Sequence, residues 1–165
     1  MPKGRAWKFG DNITTDHIIP GRYYHLRSHP EKLAEHLMED ADPEFVRKIK
    51  PGDFIVAGKN FGMGSSREHA PMVIKLNKIS AVLAKSFARI FYRNAINVGL
   101  PVLIINTDPI ETGDELEVDF KDGKVRVLNR GIKLQAKPLP DVMLRILEDG
   151  GLVEHIKKHG DFKVV

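Results

Sequence analysis

The chain has no cysteine among its 165 residues. That excludes disulfide frameworks, thiol nucleophiles, cysteine-ligated zinc and any iron–sulfur cluster held by this chain alone. There is no uncharged run of the roughly 18 residues that a membrane helix needs. Residues 1–10 carry charge at Lys3, Arg5 and Lys8 and lack the apolar stretch of a signal peptide. The expectation is a soluble, cytoplasmic protein with no membrane partner. Blocks of like charge are missing too. The 26 Lys and Arg and 22 Asp and Glu are interleaved and leave a formal charge of +4, so nucleic acid is not the default partner. No internal repeat, low-complexity tract or Ser/Gly linker divides the sequence, which predicts one domain over residues 1–165. Hydrophobic residues make up 42%, enough for a real core.

Periodicity gives the elements. Residues 5–9 predict a short strand, followed by a turn at Gly10-Asp11-Asn12 and another at Pro20-Gly21. Residues 21–29 have no period and form a loop rich in Tyr, His and Arg. Pro30 can open a helix whose stripe is Leu33, Ala34, Leu37 and Met38. Asp42-Pro43 restarts the pattern with Phe45, Val46 and Ile49. Strands are predicted at 53–57, 80–84 and 101–105. Between them lie a helix suggested by the apolar residues Val73, Ile74 and Leu76, and a second over 87–98 with Phe87, Ile90, Phe91 and Ala95 inward. The βαβαβ alternation argues parallel pairing with right-handed crossovers. From Glu115 the period becomes two, through Leu116, Val118 and Phe120, a turn at 121–124, then Val125 and Val127, which is a β-hairpin. A further strand at 132–136 and two helices broken at Gly150-Gly151 complete the pattern.

The stretch from Gly58 to Glu68 is the most informative. Gly58, Gly62 and Gly64 precede Ser65, Ser66 and Arg67 between a strand and a helix. Such a loop suits an anion, because glycine admits close backbone approach and a helix start offers N–H donors. It lacks the Gly-Lys-Ser/Thr ending of a phosphate-binding P-loop, and Arg67 stands where a dinucleotide fingerprint needs its third glycine. A plainer reading is a capping box from Ser65 to Glu68. That accounts for one serine and one glutamate but not for Gly62, Gly64 and Arg67 together.

The run Gly62-Met63-Gly64-Ser65-Ser66-Arg67-Glu68 resembles the signature of the swivelling domain of the aconitase superfamily. Thr15-Asp16-His17-Ile18 is similar to the motif near that domain's start, and residues 84–97 are similar to its third block. The resemblance runs from Gly4 to about Gly160. A free-standing chain of this size resembles the small subunits of isopropylmalate dehydratase and of its homoaconitase relatives.

The resemblance implies an α/β fold of the swivelling β/β/α type, a mixed sheet flanked by helices. It implies a hydro-lyase, inactive as this chain alone, that isomerises 2-isopropylmalate and 3-isopropylmalate by dehydration and rehydration in leucine biosynthesis. A larger catalytic subunit would carry a [4Fe-4S] cluster, and this chain would hold no metal. Ser65 is implied as the catalytic base. A serine alkoxide is strongly disfavoured in water, so the base must be stabilised by N–H donors and positive charge. Ser66 and Arg67 are implied as ligands of a substrate carboxylate, a role that suits the planar, paired donors of arginine. Asp16 and Gly64 would support the site. His17, beside a turn, is expected to be exposed.

The loop 22–28 corresponds to the family's specificity loop. Arg27 lies where relatives that take an additional carboxylate tend to carry arginine, whereas Tyr23, Tyr24 and Leu26 could contact an isopropyl group. The substrate expected is therefore a small hydroxy acid with two or three carboxylates, isopropylmalate first and a homoaconitate-type acid as the alternative. A non-enzymatic anion-binding subunit is the reading from another class. Arg89 and Arg93, four apart on one helix, either meet a partner or form a solvent face.

Overall fold

Strands covered on both faces read as unbroken apolar runs rather than alternating ones, and 54–57 and 81–84 are such runs. The computed structural model describes residues 1–65 and 67–160. Its sheet has seven strands: β1 (Lys3–Lys8), β2 (Phe54–Ala57), β3 (Ala81–Ala84), β4 (Val102–Ile104), β5 (Glu115–Asp119), β6 (Lys124–Val127) and β7 (Ile132–Gln135). Their order is β4-β3-β2-β1-β5-β6-β7. The first four pair in parallel, and β5, β6 and β7 add an antiparallel meander to the other edge of β1. The predicted βαβαβ unit and hairpin are both present, in a mixed sheet.

Alternation splits the apolar residues between two cores. Ile55, Ala57, Val82, Ala84 and Val102 face one. Phe54, Val56, Ala81, Leu83 and Leu103 face the other. The first core is covered by α1 (Thr15–Ile18), α2 (Pro30–Leu33), α3 (Phe45–Lys48), α4 (His69–Leu76) and α5 (Arg89–Val98), through Ile18, Leu33, Phe45, Val73 and Phe91. In the second, Leu116, Val118, Val125 and Val127 from the meander pack with Phe54 and Leu83, so the antiparallel half curls over the back of the parallel half. Helix α6 (Asp141–Glu148) contributes to both cores, and α7 (Leu152–His159) follows it.

Four local readings need correction. The stripe from Pro30 does bury Leu33, Ala34, Leu37 and Met38, but through four α-helical residues and a 3-10 turn instead of one helix. Ile90, read as inward, is 50% exposed. The helix after the glycine loop starts at His69 with Glu68 as N-cap and no side-chain cap bond, so Ser65 is not a capping-box serine. A capping box occurs elsewhere. Thr14 Oγ1 accepts from His17 N at 3.1 Å, and Thr14 N donates to His17 Nδ1 at 2.9 Å. His17 is consequently half-buried and structural, not a free histidine beside a turn.

Charged groups pin the joints around this frame. Buried Asp53 accepts from Arg5 N (3.1 Å), Trp7 Nε1 (2.9 Å) and Lys50 N (2.9 Å), tying β1 to the entrance of β2. Asp149, at the end of α6, accepts from His155 Nδ1 (2.7 Å) and His159 Nε2 (3.0 Å) on α7, which locks the helical hairpin. At the start of β5, Asp114 accepts from Arg130 and from Asn129 Nδ2 (3.0 Å). The Arg130 guanidinium holds the Asp114 carboxyl down at about 2. A carboxyl depressed in the folded state stabilises above its unfolded value and loses that contribution as pH falls through the folded one. Urea midpoints of the isolated chain should therefore fall between pH 4 and pH 2, and Asp114→Asn should flatten the part of that fall that this group supplies.

Candidate active site

The parallel strands all run the same way, so the loops leaving their carboxyl ends meet at one edge, where ligands of open α/β sheets bind. Three such loops converge here, after β1, β2 and β3. Backbone hydrogen bonds zip them together beyond the strands. Gly62 N donates to Ile13 O (2.7 Å) and Thr15 N to Met63 O (2.7 Å), fastening the glycine loop to the first segment. Phe61 N donates to Ser86 O (3.0 Å) and Ala88 N to Phe61 O (2.9 Å), fastening it to the third. Phe61, Phe87 and Phe91 pack edge-on and stacked beneath, with Phe61 and Phe91 centroids 5.2 Å apart.

Two glycines make this geometry possible. Gly62 has φ +87, and a Cβ there would lie 2.3 Å from the Phe91 ring. Gly64 has φ +108, and a Cβ there would sit 3.0 Å from Thr15 Oγ1. Positive φ is costly for any residue with a Cβ.

Ser65 follows at the exposed crest of the loop, and among the described residues no backbone hydrogen bond is donated by the N–H of Gly64 or Ser65. Arg67 is half-buried. One edge of its guanidinium donates to Asp16 Oδ1 at 2.9 Å, and its face lies 5.2 Å from the centre of the Tyr24 ring. Gly21 leaves room beneath this pair: a Cβ there would stand 3.7 Å from Asp16 Oδ1 and 3.8 Å from an Arg67 nitrogen. An exposed ion pair of this kind adds little stability. Its effect is orientation, since it leaves the remaining guanidinium donors free for an anion.

Of the residues the sequence singled out, the structure brings Ser65, Arg67, Asp16 and Gly64 together. Ser66 lies outside the described residues. Arg27 is exposed, outside the cavity described below. Its guanidinium covers the Tyr24 ring at 4.8 Å and donates to Tyr24 O at 3.3 Å.

A cavity of about 210 Å³ opens beside the loop, lined by Thr15, Gly62, Gly64, Ser65, Arg67 and the stretch from Ala88 to Phe91, with Asn94. Complete small-molecule sites commonly span about 300–1,000 Å³. This one is smaller and open to solvent. Its chemistry is that of a donor-rich anion pocket carrying one exposed hydroxyl nucleophile or base.

Sequence reasoning passed over Thr15, Arg89 and Asn94 as members of this pocket. Thr15 lay inside a motif already singled out, but its hydroxyl gains meaning only once the β1 and β2 loops are seen to meet. Arg89 was noticed only as half of a basic pair; the structure separates it from Arg93 by placing Arg89 in the cavity wall.

Residues 9–107 match the family model of the aconitase C-terminal domain. The chain is 69% identical over 161 residues to 3-isopropylmalate dehydratase small subunit 2 of Archaeoglobus fulgidus, covering 98% of each. It is 56% identical to small subunit 1 of the same enzyme from Thermotoga maritima, covering all of both. The crystal structure of 3-isopropylmalate dehydratase (LeuD) from Methanocaldococcus jannaschii superposes with a TM-score of 0.92 at 50% identity, over 96% of this chain and 94% of that one. The converging loops around Ser65 and Arg67 thus sit on the fold of the aconitase C-terminal domain family, and this chain belongs to it, in the branch of the 3-isopropylmalate dehydratase small subunits.

Proposed function

We propose that this chain, acting in the cytoplasm with a larger partner subunit, isomerises 2-isopropylmalate and 3-isopropylmalate in leucine biosynthesis. The carrying observation is the solvent-open cavity lined by both Ser65 and Arg67. Ser65 Oγ, as the alkoxide, takes the carbon-bound proton, and the hydroxyl on the neighbouring carbon departs with its bonding electron pair, taking up a proton from an acid on the partner's side of the site to leave as water. Readdition with the two carbons exchanged completes the isomerisation. Arg67, oriented by Asp16, grips a carboxylate with Ser66, and Gly64 keeps the backbone flat enough for its N–H and that of Ser65 to face the developing charge.

The residues present do not fit a [4Fe-4S] cluster. The chain has no cysteine, and nothing lining the cavity offers a thiolate or an imidazole. The cluster is assigned to the partner, and no step performed by this chain passes through it.

The test is reconstitution with the purified large subunit, followed by kcat/KM for 3-isopropylmalate and for a homoaconitate-type acid. Turnover of the first and little of the second is expected, because Arg27, the arginine that would meet an additional carboxylate, is stacked on Tyr24 outside the cavity. Arg27→Ala should leave isopropylmalate turnover within about twofold, as for other exposed side chains away from a site. Preferential turnover of the acidic substrate, lost in Arg27→Ala, would transfer the assignment to the homoaconitase branch.

A further inference from the structure

The cavity floor carries a hydroxyl with nothing to bond. Thr15 is 3% exposed, and its Oγ1 has no hydrogen-bond partner among the described residues. Buried polar groups almost always find a partner, and an orphan in a ligand cavity points to one that arrives with the ligand. The hydroxyl is buried against Gly64, where a Cβ would stand only 3.0 Å from it. The missing side chain at Gly64 keeps the space between this hydroxyl and Ser65 from being filled.

The same cavity receives the start of α5. Ala88 is its N-cap and makes no side-chain cap bond. The first intrahelical bond runs from Tyr92 N to Ala88 O, and among the described residues the N–H groups of Arg89, Ile90 and Phe91 donate to no backbone acceptor. All three residues line the cavity. A ten-residue helix with free N–H groups and its positive dipole end there attracts an anion. Arg89 adds a guanidinium that takes part in no ion pair among the described residues, whereas Arg67 has already committed one edge to Asp16. No acidic side chain lines the cavity.

We propose that the Thr15 hydroxyl, the first turn of α5 and Arg89 form a second carboxylate subsite, distinct from Arg67. This subsite holds the other carboxylate of the dicarboxylate substrate. The inference rests on the reading of Ser65 and Arg67 given above and deepens it. A substrate gripped at both ends has its reacting carbons fixed between the two grips, beside Ser65, as proton abstraction in a positioned complex requires.

The experiment compares Thr15→Val, which keeps the shape and removes the hydroxyl, with Thr15→Ser, which keeps the hydroxyl. Both are assayed in the reconstituted enzyme with 3-isopropylmalate. Loss of a hydrogen bond to a charged group predicts a fall in kcat/KM of about 10- to 100-fold for Thr15→Val, with most of it restored by Thr15→Ser. The readout that a structural role would not reproduce is selectivity. 2-Isopropylsuccinate, with both carboxylates, should weaken as a competitive inhibitor of Thr15→Val by a similar factor, while one of its two monoamides, lacking the carboxylate on this side, should weaken little. In the isolated chain the Tm of Thr15→Val should stay level or rise, because an unpaired buried hydroxyl has been removed.

Undiminished kcat/KM in Thr15→Val overturns the subsite. So does an equal loss for the diacid and both monoamides accompanied by a lowered Tm. Ser65→Ala, run alongside, separates the two levels of the argument. Wild-type turnover there defeats the reading of the base, whereas a dead Ser65→Ala beside a fully active Thr15→Val defeats only the subsite.

Discussion

Ser65→Ala, in complex with the large subunit, is expected to lower turnover of 3-isopropylmalate by about 10²- to 10⁴-fold, the usual loss on removing a general base. KM should change little, because Arg67 and its Asp16 support are untouched. The variant should also fail to exchange the carbon-bound proton of the substrate with deuterated solvent, a step that precedes loss of water. Assembly and stability should be unaffected. Ser65 is exposed, and no side-chain hydrogen bond of it occurs among the described residues, so the fold asks nothing of its hydroxyl. Full activity with normal proton exchange would reduce Ser65 to a spacer between Gly64 and Arg67.

The second large effect is conformational. Gly62→Ala should destabilise the isolated chain by about 2–5 kcal/mol, combining left-handed backbone strain with an overpacked contact. The contact is severe, since the new methyl would meet Phe91 Cγ at 2.3 Å and Phe91 Cβ at 2.5 Å. Gly113→Ala supplies the comparison. Its φ is +94, nearly the same, but nothing lies within 4 Å of the added carbon. Urea unfolding should show Gly113→Ala losing only the backbone part, about 1–2 kcal/mol, and the difference between the variants measures the collision with Phe91. Equal losses would mean that the loop shifts away from α5 without cost.

Elements whose formation depends on nearby residues were readable in the sequence. Phe54–Ala57 and Ala81–Ala84 are strands because both faces are covered, and each shows as an unbroken apolar run. The hairpin of β5 and β6 declared itself through period two, with Leu116 and Val118 opposite Val127 and Val125. Ile90 defeated the same logic. It has the right spacing for a core position, yet it stands at the start of α5, at the cavity, where the helix face turns away from the sheet. Ser65 and Glu68 had the spacing of a capping box, but the helix begins after both. The actual box, Thr14 with His17, uses an imidazole where the common pattern has Glu or Gln, so the pattern passed it by.

The site divides the same way. The glycine, serine and arginine run marks itself, because few other structures need that combination. The Asp16 pairing spans 51 residues, and the role of Thr15 depends on which backbone it meets. Neither is encoded by spacing along the chain.

The loop that carries Ser65 is tied to its neighbours on both sides by main-chain bonds, from Gly62 to Ile13, from Thr15 to Met63 and from Phe61 to Ser86. Main-chain bonds place no demand on side-chain identity. At Ile13 and Met63 the alphabet open to evolutionary drift is set by size and burial alone, and those positions can wander without moving the serine, whereas the Ser86 hydroxyl also accepts from Asn60 N at 2.8 Å. The glycines and Arg67 have no such latitude. A saturation library across residues 11–16, 58–67 and 84–94, selected by growth without leucine, should accordingly return a banded tolerance map. Permissive columns should alternate with invariant ones inside a single loop, and the permissive columns should fall at residues that contribute only their peptide groups.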